Sequence, residues 1–423
     1  MNDAVSIRQL AIISIHASPL APMGGSKTGG MNVYVRKLAQ EFGRRGIAVD
    51  IFTRRTAPEA PQIDTSLGDE VRVIHIAAGE PHQLDPDSIF PHLPEFIAGV
   101  IAFTEQHDLN YDAIYSHYWL SGWVANRLKA VWGIPFVQMF HTLGQMKNRI
   151  GSSSASPDTR IAVERQIVDW ADHIIAATPA EYSQLLWLYR ADRRKISVVS
   201  PGVDLNLFRP LPKSYSKRVL NLPAETDMLL FVGRIEPLKG VDTAIEALRI
   251  IRMEQPELLP SVRFIVIGGN PADLTNAEMV RLQEKVEEYE LSTVVEFVGA
   301  KEQDDLVYYY TAATAVIMPS DYESFGMVAL EAMASGTPVI ASEVGGLAFL
   351  VRDGETGYLV PARDPAALAQ RITAILQHPD IVQRMSVRAA DLAQQYTWAA
   401  IADELLESFR TVLCQSSASR HMR

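Results

Sequence analysis

Cysteine is nearly missing from this chain: Cys414 is the single one in 423 residues. No internal disulfide is therefore possible, and the usage fits a reducing compartment. Long hydrophobic runs are missing too. Nothing approaches the roughly 18 apolar residues of a membrane span. The opening "MNDAVSIRQLAIISIHASPL" lacks the basic start and the apolar length of a secretory signal. The expectation is a cytoplasmic protein with no membrane partner. Positive charge is not in excess: 39 Lys and Arg stand against 50 Asp and Glu, a net charge of −11. A broad nucleic-acid surface, which needs clustered cations, is excluded, while a local basic pocket for a small anion is not.

Two familiar phosphate signatures are absent as well. In "GGSKTGGMN" (24–32), Gly24 and Gly29 have the spacing of a P-loop, but Gly30 follows where lysine should be. The dinucleotide fingerprint G-x-G-x-x-G does not occur there either, which argues against a nicotinamide-dependent dehydrogenase. The loop looks like an anion site built on neither template.

What the sequence does contain is alternation. Short runs rich in β-branched residues appear at "LAIISI" (10–15), "AVDIFT" (48–53), "VRVIHI" (71–76) and "HIIAAT" (173–178). Helical patterns lie between them, such as Val35, Leu38 and Phe42 on one face. The alternation restarts at "MLLFVGR" (228–234), "VRFIVIGG" (262–269), "VVEFVG" (294–299), "AVIMPS" (315–320) and "TPVIAS" (337–342). Continuous apolar strands separated by helices predict parallel sheets covered on both faces. The expected fold is α/β, two Rossmann-like doubly wound domains of residues 1–205 and 206–395. The breaker-rich "SPGVDLNLFRPLPKSYS" (200–216) marks their boundary. Within 396–423, a last helix around 398–412 either caps the second domain or crosses back to the first, and the tail "QSSASRHMR" reads as disordered. Two such domains place a ligand cleft at the facing carboxyl ends of their strands, so the chemistry belongs in strand-to-helix loops.

The motifs lie in such loops. In "SDYESFGMVALEAMASGTPVIAS" (320–342), Glu323 sits at a helix entry and Glu331 two turns on, with the helix ending near Ser335. Their separation is about 12 Å of axial rise. That is too far for an acid/base pair on one bond, which needs roughly 5–9.5 Å, but it suits two ends of one extended ligand. Backbone N–H groups at Ser324, Phe325 and Gly326 suit a hydroxyl or phosphate oxygen. In "FVGRIEPLKG" (231–240), Arg234 and Lys239 follow a strand and would neutralise a diphosphate. "GGSKTGGMNVYV" is a glycine loop followed by a helix from near Gly30, where backbone approaches a phosphate closely and the helix start favours negative charge.

"PGVD", "GRIEPLKG", and the Glu323–Glu331 spacing followed by "ASGTPVIAS" resemble the retaining GT-B glycosyltransferases of the sucrose-synthase-like group, glycosyltransferase family 4. The resemblance covers nearly the whole chain and implies two GT-B lobes facing each other across a cleft. "HASPL", "TGGMNVYVRKLA", "SHYWLSG" and "HTLGQMKN" are similar to two subgroups: bacterial sucrose-phosphate synthases, and transferases that put N-acetylglucosamine on inositol phosphate. "PHLPEF" and "HTLGQMKN" lean toward the first. On the donor side the resemblance implies Arg234 and Lys239 on the diphosphate, Glu331 on the ribose and Glu323 on the sugar hydroxyls. The backbone of Ser324, Phe325 and Gly326 completes the sugar pocket, His141 lies near the sugar C6 hydroxyl, and Gly29 and Gly30 touch the diphosphate. The base is read by backbone near Val298 and Gly299.

On the acceptor side the resemblance implies Lys27, Met31, Asn32, Tyr118, Thr142 and Lys147, with Arg160 for a phosphate and Arg165 as a second candidate. Both subgroups usually carry a basic residue after the glycine of the stretch matching "AAGEPHQLDPDSIFPHLPEF" (77–96), and this sequence has none there, leaving Lys27 or Arg160 to supply the charge. "DPD" (85–87) reads as a turn, and no metal is expected. The implied reaction moves glucose from UDP-glucose, or ADP-glucose, to fructose 6-phosphate, with inositol-phosphate N-acetylglucosaminyl transfer as the alternative. No cofactor is required. No D-x-D-x-T/V motif follows the second domain, so dephosphorylating a sucrose 6-phosphate product calls for a separate phosphatase. No carboxylate in these motifs is placed as a nucleophile; the resemblance favours same-face attack, with catalysis by positioning and by charge at Arg234 and Lys239. A two-lobed, non-catalytic sugar-binding protein is the rival from another class. It would need no diphosphate cations.

Overall fold

The structure, a computed structural model, describes residues 7–21, 29–149 and 157–421. Lys27, with most of the glycine loop, lies outside the described residues. The first lobe is built on β1 (Gln9–Ile13), β2 (Ala48–Arg54), β3 (Ile63–Asp64), β4 (Val71–Ile76), β5 (Ala113–His117), β6 (Phe136–Met139), β7 (His173–Ala176) and β8 (Ile196–Val198). They form one sheet in the order β3-β4-β2-β1-β5-β6-β7-β8. The second lobe has β9 (Asp227–Val232), β10 (Val262–Ile267), β11 (Val295–Gly299), β12 (Ala315–Met318), β13 (Val339–Ser342) and β14 (Gly357–Val360), in the order β11-β10-β9-β12-β13-β14. Every pair is parallel except β3 with β4. Leu10, Ala11, Ile12 and Ile13 are all buried, as a sheet with helices on both faces requires.

β5 escapes an apolar-run reading because it ends in Ser116 and His117. Both are buried and bonded across the sheet: Ser116 Oγ donates to Gln138 Oε1 at 2.6 Å, and His117 meets His141 through Nδ1 alone.

Strand order reverses between β1 and β5 in the first sheet and between β9 and β12 in the second. Loops leaving the strands on either side of such a point diverge, and a crevice opens between them. The helix Gly30–Arg44 starts at the first switch point; the loops 233–240 and 319–326 flank the second.

The lobes touch. A Cβ added to Gly30 would lie 3.2 Å from Met327 Cγ, so the first helix sits close against the start of the Met327–Ala334 helix, and a larger residue at 30 would press on the Met327 side chain. The Trp398–His421 helix leaves the second lobe and packs on the first: Trp398 meets Tyr34 edge-on at 5.6 Å and Phe409 meets Tyr115 at 5.5 Å. One apolar cluster consequently runs from Leu38 through Phe409 to Met333. The boundary stretch is pinned beside this crossing, where the Val203 amide donates to the Tyr396 carbonyl at 2.7 Å. The last helix continues to His421, where sequence reading expects a disordered tail. Val412 and Leu413 are still buried, and a helix anchored that far propagates at one hydrogen bond per residue. Asp85 of "DPD" precedes the short helix Pro86–Ile89 instead of forming a plain turn. Among the described residues no helix is long and apolar enough to cross a membrane.

Candidate active site

The second lobe brings its motif residues together. Lys239, at the end of the loop after β9, places Nζ 2.6 Å from Glu323 Oε2, and Arg234 Nη1 lies 2.7 Å from Glu236 Oε1. Glu323 lies ahead of the helix, whose entry sequence reading puts at Glu323 itself. The helix starts only at Met327, capped by Gly326 at φ +106, and Glu323 sits in the loop before it. That loop is fixed from behind: the Gly346 amide donates to the Glu323 carbonyl at 2.9 Å. A Cβ on Gly345, at φ +45, would come within 2.0 Å of the same oxygen. Phe325 turns its ring into the core, and its backbone packs so closely on Gly346 that a Cβ there would come within 2.3 Å of Phe325 Cα.

Glu331 is buried on the helix, accepting from Tyr310 Oη at 2.8 Å and from Gln303 Nε2 at 3.4 Å. Burial pushes its carboxyl up to about 7, against the pull of Tyr310 and Gln303. Val298 is skipped by the ladder: Val266 pairs with Phe297 and Ile267 with Gly299. Such a bulge frees backbone groups and re-aims them, which a single sequence does not disclose.

The first lobe brings together a second group. Arg160 is 3% exposed and fully engaged with its neighbours. Its Nε donates to Glu164 at 2.7 Å, Nη1 to Tyr118 Oη at 3.0 Å, and Nη2 to the Thr142 carbonyl at 2.8 Å and Oγ1 at 3.2 Å. Arg160 thus braces Tyr118 and Thr142 into one surface. Lys147 is near enough for its ammonium to be held below the ordinary lysine value by burial, then by Arg160 and by Arg234 of the other lobe.

His16, given no role by sequence reading, stacks on Tyr118 at 4.3 Å between ring centroids. Burial, then Arg160 and Lys147, push its imidazole down to about 3. Glu164, also missed, was legible as an i,i+4 partner of Arg160. His141 follows β6 at φ +60, facing His117.

One expectation needs correction, at Asn32. Asn32 is buried, with its carboxamide used inside its own loop: Oδ1 accepts from the Gly29 amide at 3.1 Å and Nδ2 donates to the Ser18 carbonyl at 2.8 Å. It caps the helix instead of facing the acceptor, while Met31 packs against the apolar clusters of the lobe. Arg165 is exposed on another side of the Asp158–Trp170 helix from Arg160, in an open groove with Gln145, Asn148 and Arg149. The basic residue missing after Gly79 is answered from below: Arg54, 1% exposed, donates to the carbonyls of Ala78, Glu80 and His82. Its charge holds that loop and is spent on carbonyl oxygens. No sequence pattern links Arg54 to it.

The arrangement is a cleft with a cation-and-carboxylate group on one wall and a cation-and-hydroxyl group on the other. Residues 29–202 match the model of the glycosyl transferase 4-like domain, and residues 213–391 match that of the glycosyl transferases group 1. The chain is 40% identical to a D-inositol 3-phosphate glycosyltransferase of Kineococcus radiotolerans, over 99% of each chain. It is 40% identical to that of Thermobispora bispora, over 96% of this chain and 95% of the relative. Among solved structures, a sucrose-phosphate synthase from Thermosynechococcus elongatus superposes with a TM-score of 0.88 at 35% identity, covering 96% of this chain and 100% of that one. With both lobes matched and full-length relatives at this identity, the chain belongs to the glycosyl transferases group 1 family and is a GT-B hexosyltransferase.

Proposed function

We propose that the cleft moves a hexosyl group from a nucleoside diphosphate sugar to a phosphorylated polyol or sugar, with retention at the anomeric carbon. The observation that carries this reading is Lys147, a partly buried ammonium with no carboxylate in salt-bridge range among the described residues, its pKa lowered by burial and then by Arg160 and by Arg234 of the other lobe. Arg160 and Arg234 are each paired with a carboxylate of their own wall, Glu164 and Glu236, so Lys147 is the cation left for an incoming anion. An acceptor phosphate supplies that anion. Lys239 and Arg234 stabilise the leaving diphosphate, which itself takes the acceptor proton, so no cofactor enters the scheme. Glu331 receives the ribose hydroxyls, Glu323 those of the sugar, and Tyr118 and Thr142 face the acceptor.

Inositol 3-phosphate is placed first as acceptor, because full-length relatives named for it share 40% identity. Fructose 6-phosphate, giving sucrose 6-phosphate, is the second reading, supported by the solved synthase at 35% identity. Either transfer leaves the acceptor's phosphate ester intact, so its removal would need a separate phosphatase. Both readings place the enzyme in the cytoplasm. Incubating the protein with UDP-glucose or UDP-N-acetylglucosamine and either acceptor, with product identification by NMR, separates them. No nucleotide release in any of the four mixtures would sink both.

A further inference from the structure

The cleft floor holds a histidine pair of which one member has no assigned role. β5 ends on His117, fully buried, and the turn after β6 carries His141. His117 Nδ1 faces His141 Nε2 at 3.0 Å. His141 has φ +60, and around it the Thr142 amide donates to the Phe140 carbonyl at 2.7 Å. That is a γ-turn in its strained hand, which persists only where the surroundings over-determine it. Tyr34 closes the other side, its ring edge-on to His117 at 5.7 Å and to His141 at 5.3 Å. Burial keeps both imidazoles neutral, lowering His141 to about 3 and His117 well below the ordinary value.

Two neutral imidazoles joined by one hydrogen bond hold a single proton between the facing nitrogens. Were it on His141 Nε2, His117 would carry its own proton on Nε2, a sealed atom with no hydrogen-bond partner among the described residues. Orphaned buried N–H groups are rare, and under-satisfied acceptors less so. With the proton on His117 Nδ1, the sealed Nε2 is a bare lone pair. His141 then carries its proton on Nδ1, which makes no hydrogen bond among the described residues. We infer that His117 is a positioning residue: its Nδ1–H donates to His141 Nε2 and locks His141 as an Nδ1–H donor toward the substrate. The inference rests on the reading of His141 as the contact for the donor sugar's C6 hydroxyl. A fixed donor there selects sugars with oxygen at C6 and holds the ring for attack at C1.

The test pairs a spectroscopic readout with a kinetic one, using His117→Leu, His117→Asn and His141→Ala. Long-range ¹H–¹⁵N correlation spectra of histidine-labelled protein report each tautomer directly. Wild type and His117→Asn, which keeps an N–H near the Nδ1 position, should show His141 as the Nδ1–H form; His117→Leu should lose it. An Nε2–H form in wild type, or an unchanged His141 in His117→Leu, overturns the inference. In kinetics, the preference for the active nucleotide sugar over its 6-deoxy analogue should fall about tenfold in His141→Ala and in His117→Leu, with no further fall in the double variant. If His141→Ala leaves that preference unchanged, the reading of His141 fails and the inference with it. If His141→Ala lowers the preference and His117→Leu does not, the inference alone fails.

Discussion

Lys239 Nζ and Glu323 Oε2 stand 2.6 Å apart at the second lobe's switch point, both partly shielded from solvent. The pair joins the cation meant for a diphosphate to the carboxylate meant for a sugar. A phosphate drawn to Lys239 meets a like charge beside it, so Glu323 penalises a bare phosphate and rewards a hydroxyl. Glu323→Gln should therefore weaken intact nucleotide sugar by about tenfold while leaving free nucleoside diphosphate unchanged or tighter. Calorimetric titration of both ligands checks it; equal weakening of the two would contradict it.

Lys239→Ala should lower kcat by roughly 10²–10³-fold, the usual loss for one preorganised charge-stabilising donor. Single-turnover rates at saturating donor measure this. A change confined to KM would mean that Lys239 binds donor and transition state alike.

Glu331 couples stability to pH. Its folded carboxyl lies at about 7 against an ordinary 4.5, so between those values the folded chain binds more protons than the unfolded one. The stability of the neutral carboxyl is present in full below pH 4.5 and lost as pH rises through about 7. Glu331→Gln should gain about 1–3 kcal/mol over wild type at pH 8 and little at pH 4.5, while binding nucleotide more weakly. Thermal unfolding at the two pH values, beside a nucleotide titration, tests this; a gain that is the same at both would refute it.

On the other wall, Lys147→Ala should raise the acceptor KM about ten- to a hundredfold without changing nucleotide affinity. Arg165→Ala, on an exposed outer surface, should change neither. Arg160→Ala leaves Glu164 buried and unpaired, so it should cost about 3–5 kcal/mol of stability as well as acceptor binding. Denaturant melts together with steady-state kinetics separate the two effects. A stable Arg160→Ala protein with weak acceptor binding would reduce Arg160 to a phosphate ligand alone.

Phe409→Ala should destabilise the chain by about 3–5 kcal/mol, the cost of emptying a fully buried aromatic site. Because Phe409 packs on Tyr115 of the first lobe from a helix that leaves the second, it should also loosen the lobes against each other. Thermal unfolding and small-angle scattering of the variant report both.

The donor wall could be read in the sequence because Arg234, Lys239 and Glu323 sit in two short loops after recognisable apolar strands, with Glu331 on the helix that follows the second. The acceptor wall was only half legible. Arg54 acts on a loop 24 to 28 residues away, and His16 meets Tyr118 only once β1 and β5 are neighbours. Asn32 misled because a cap and a ligand-facing amide look alike in sequence; only the bonds to Gly29 and Ser18 separate them. The crossing helix left two readings open, and its apolar face points to a partner without naming which lobe supplies it.

Measured directly, the central claim is that the acceptor phosphate is what the first lobe recognises. Nucleotide release from the preferred UDP-sugar should be compared for inositol 3-phosphate and fructose 6-phosphate against inositol and fructose. The account predicts transfer to one phosphorylated acceptor, with an anomeric configuration matching the donor, and at least about a hundredfold lower kcat/KM without the phosphate. Equal turnover of the phosphorylated and free acceptors would contradict it.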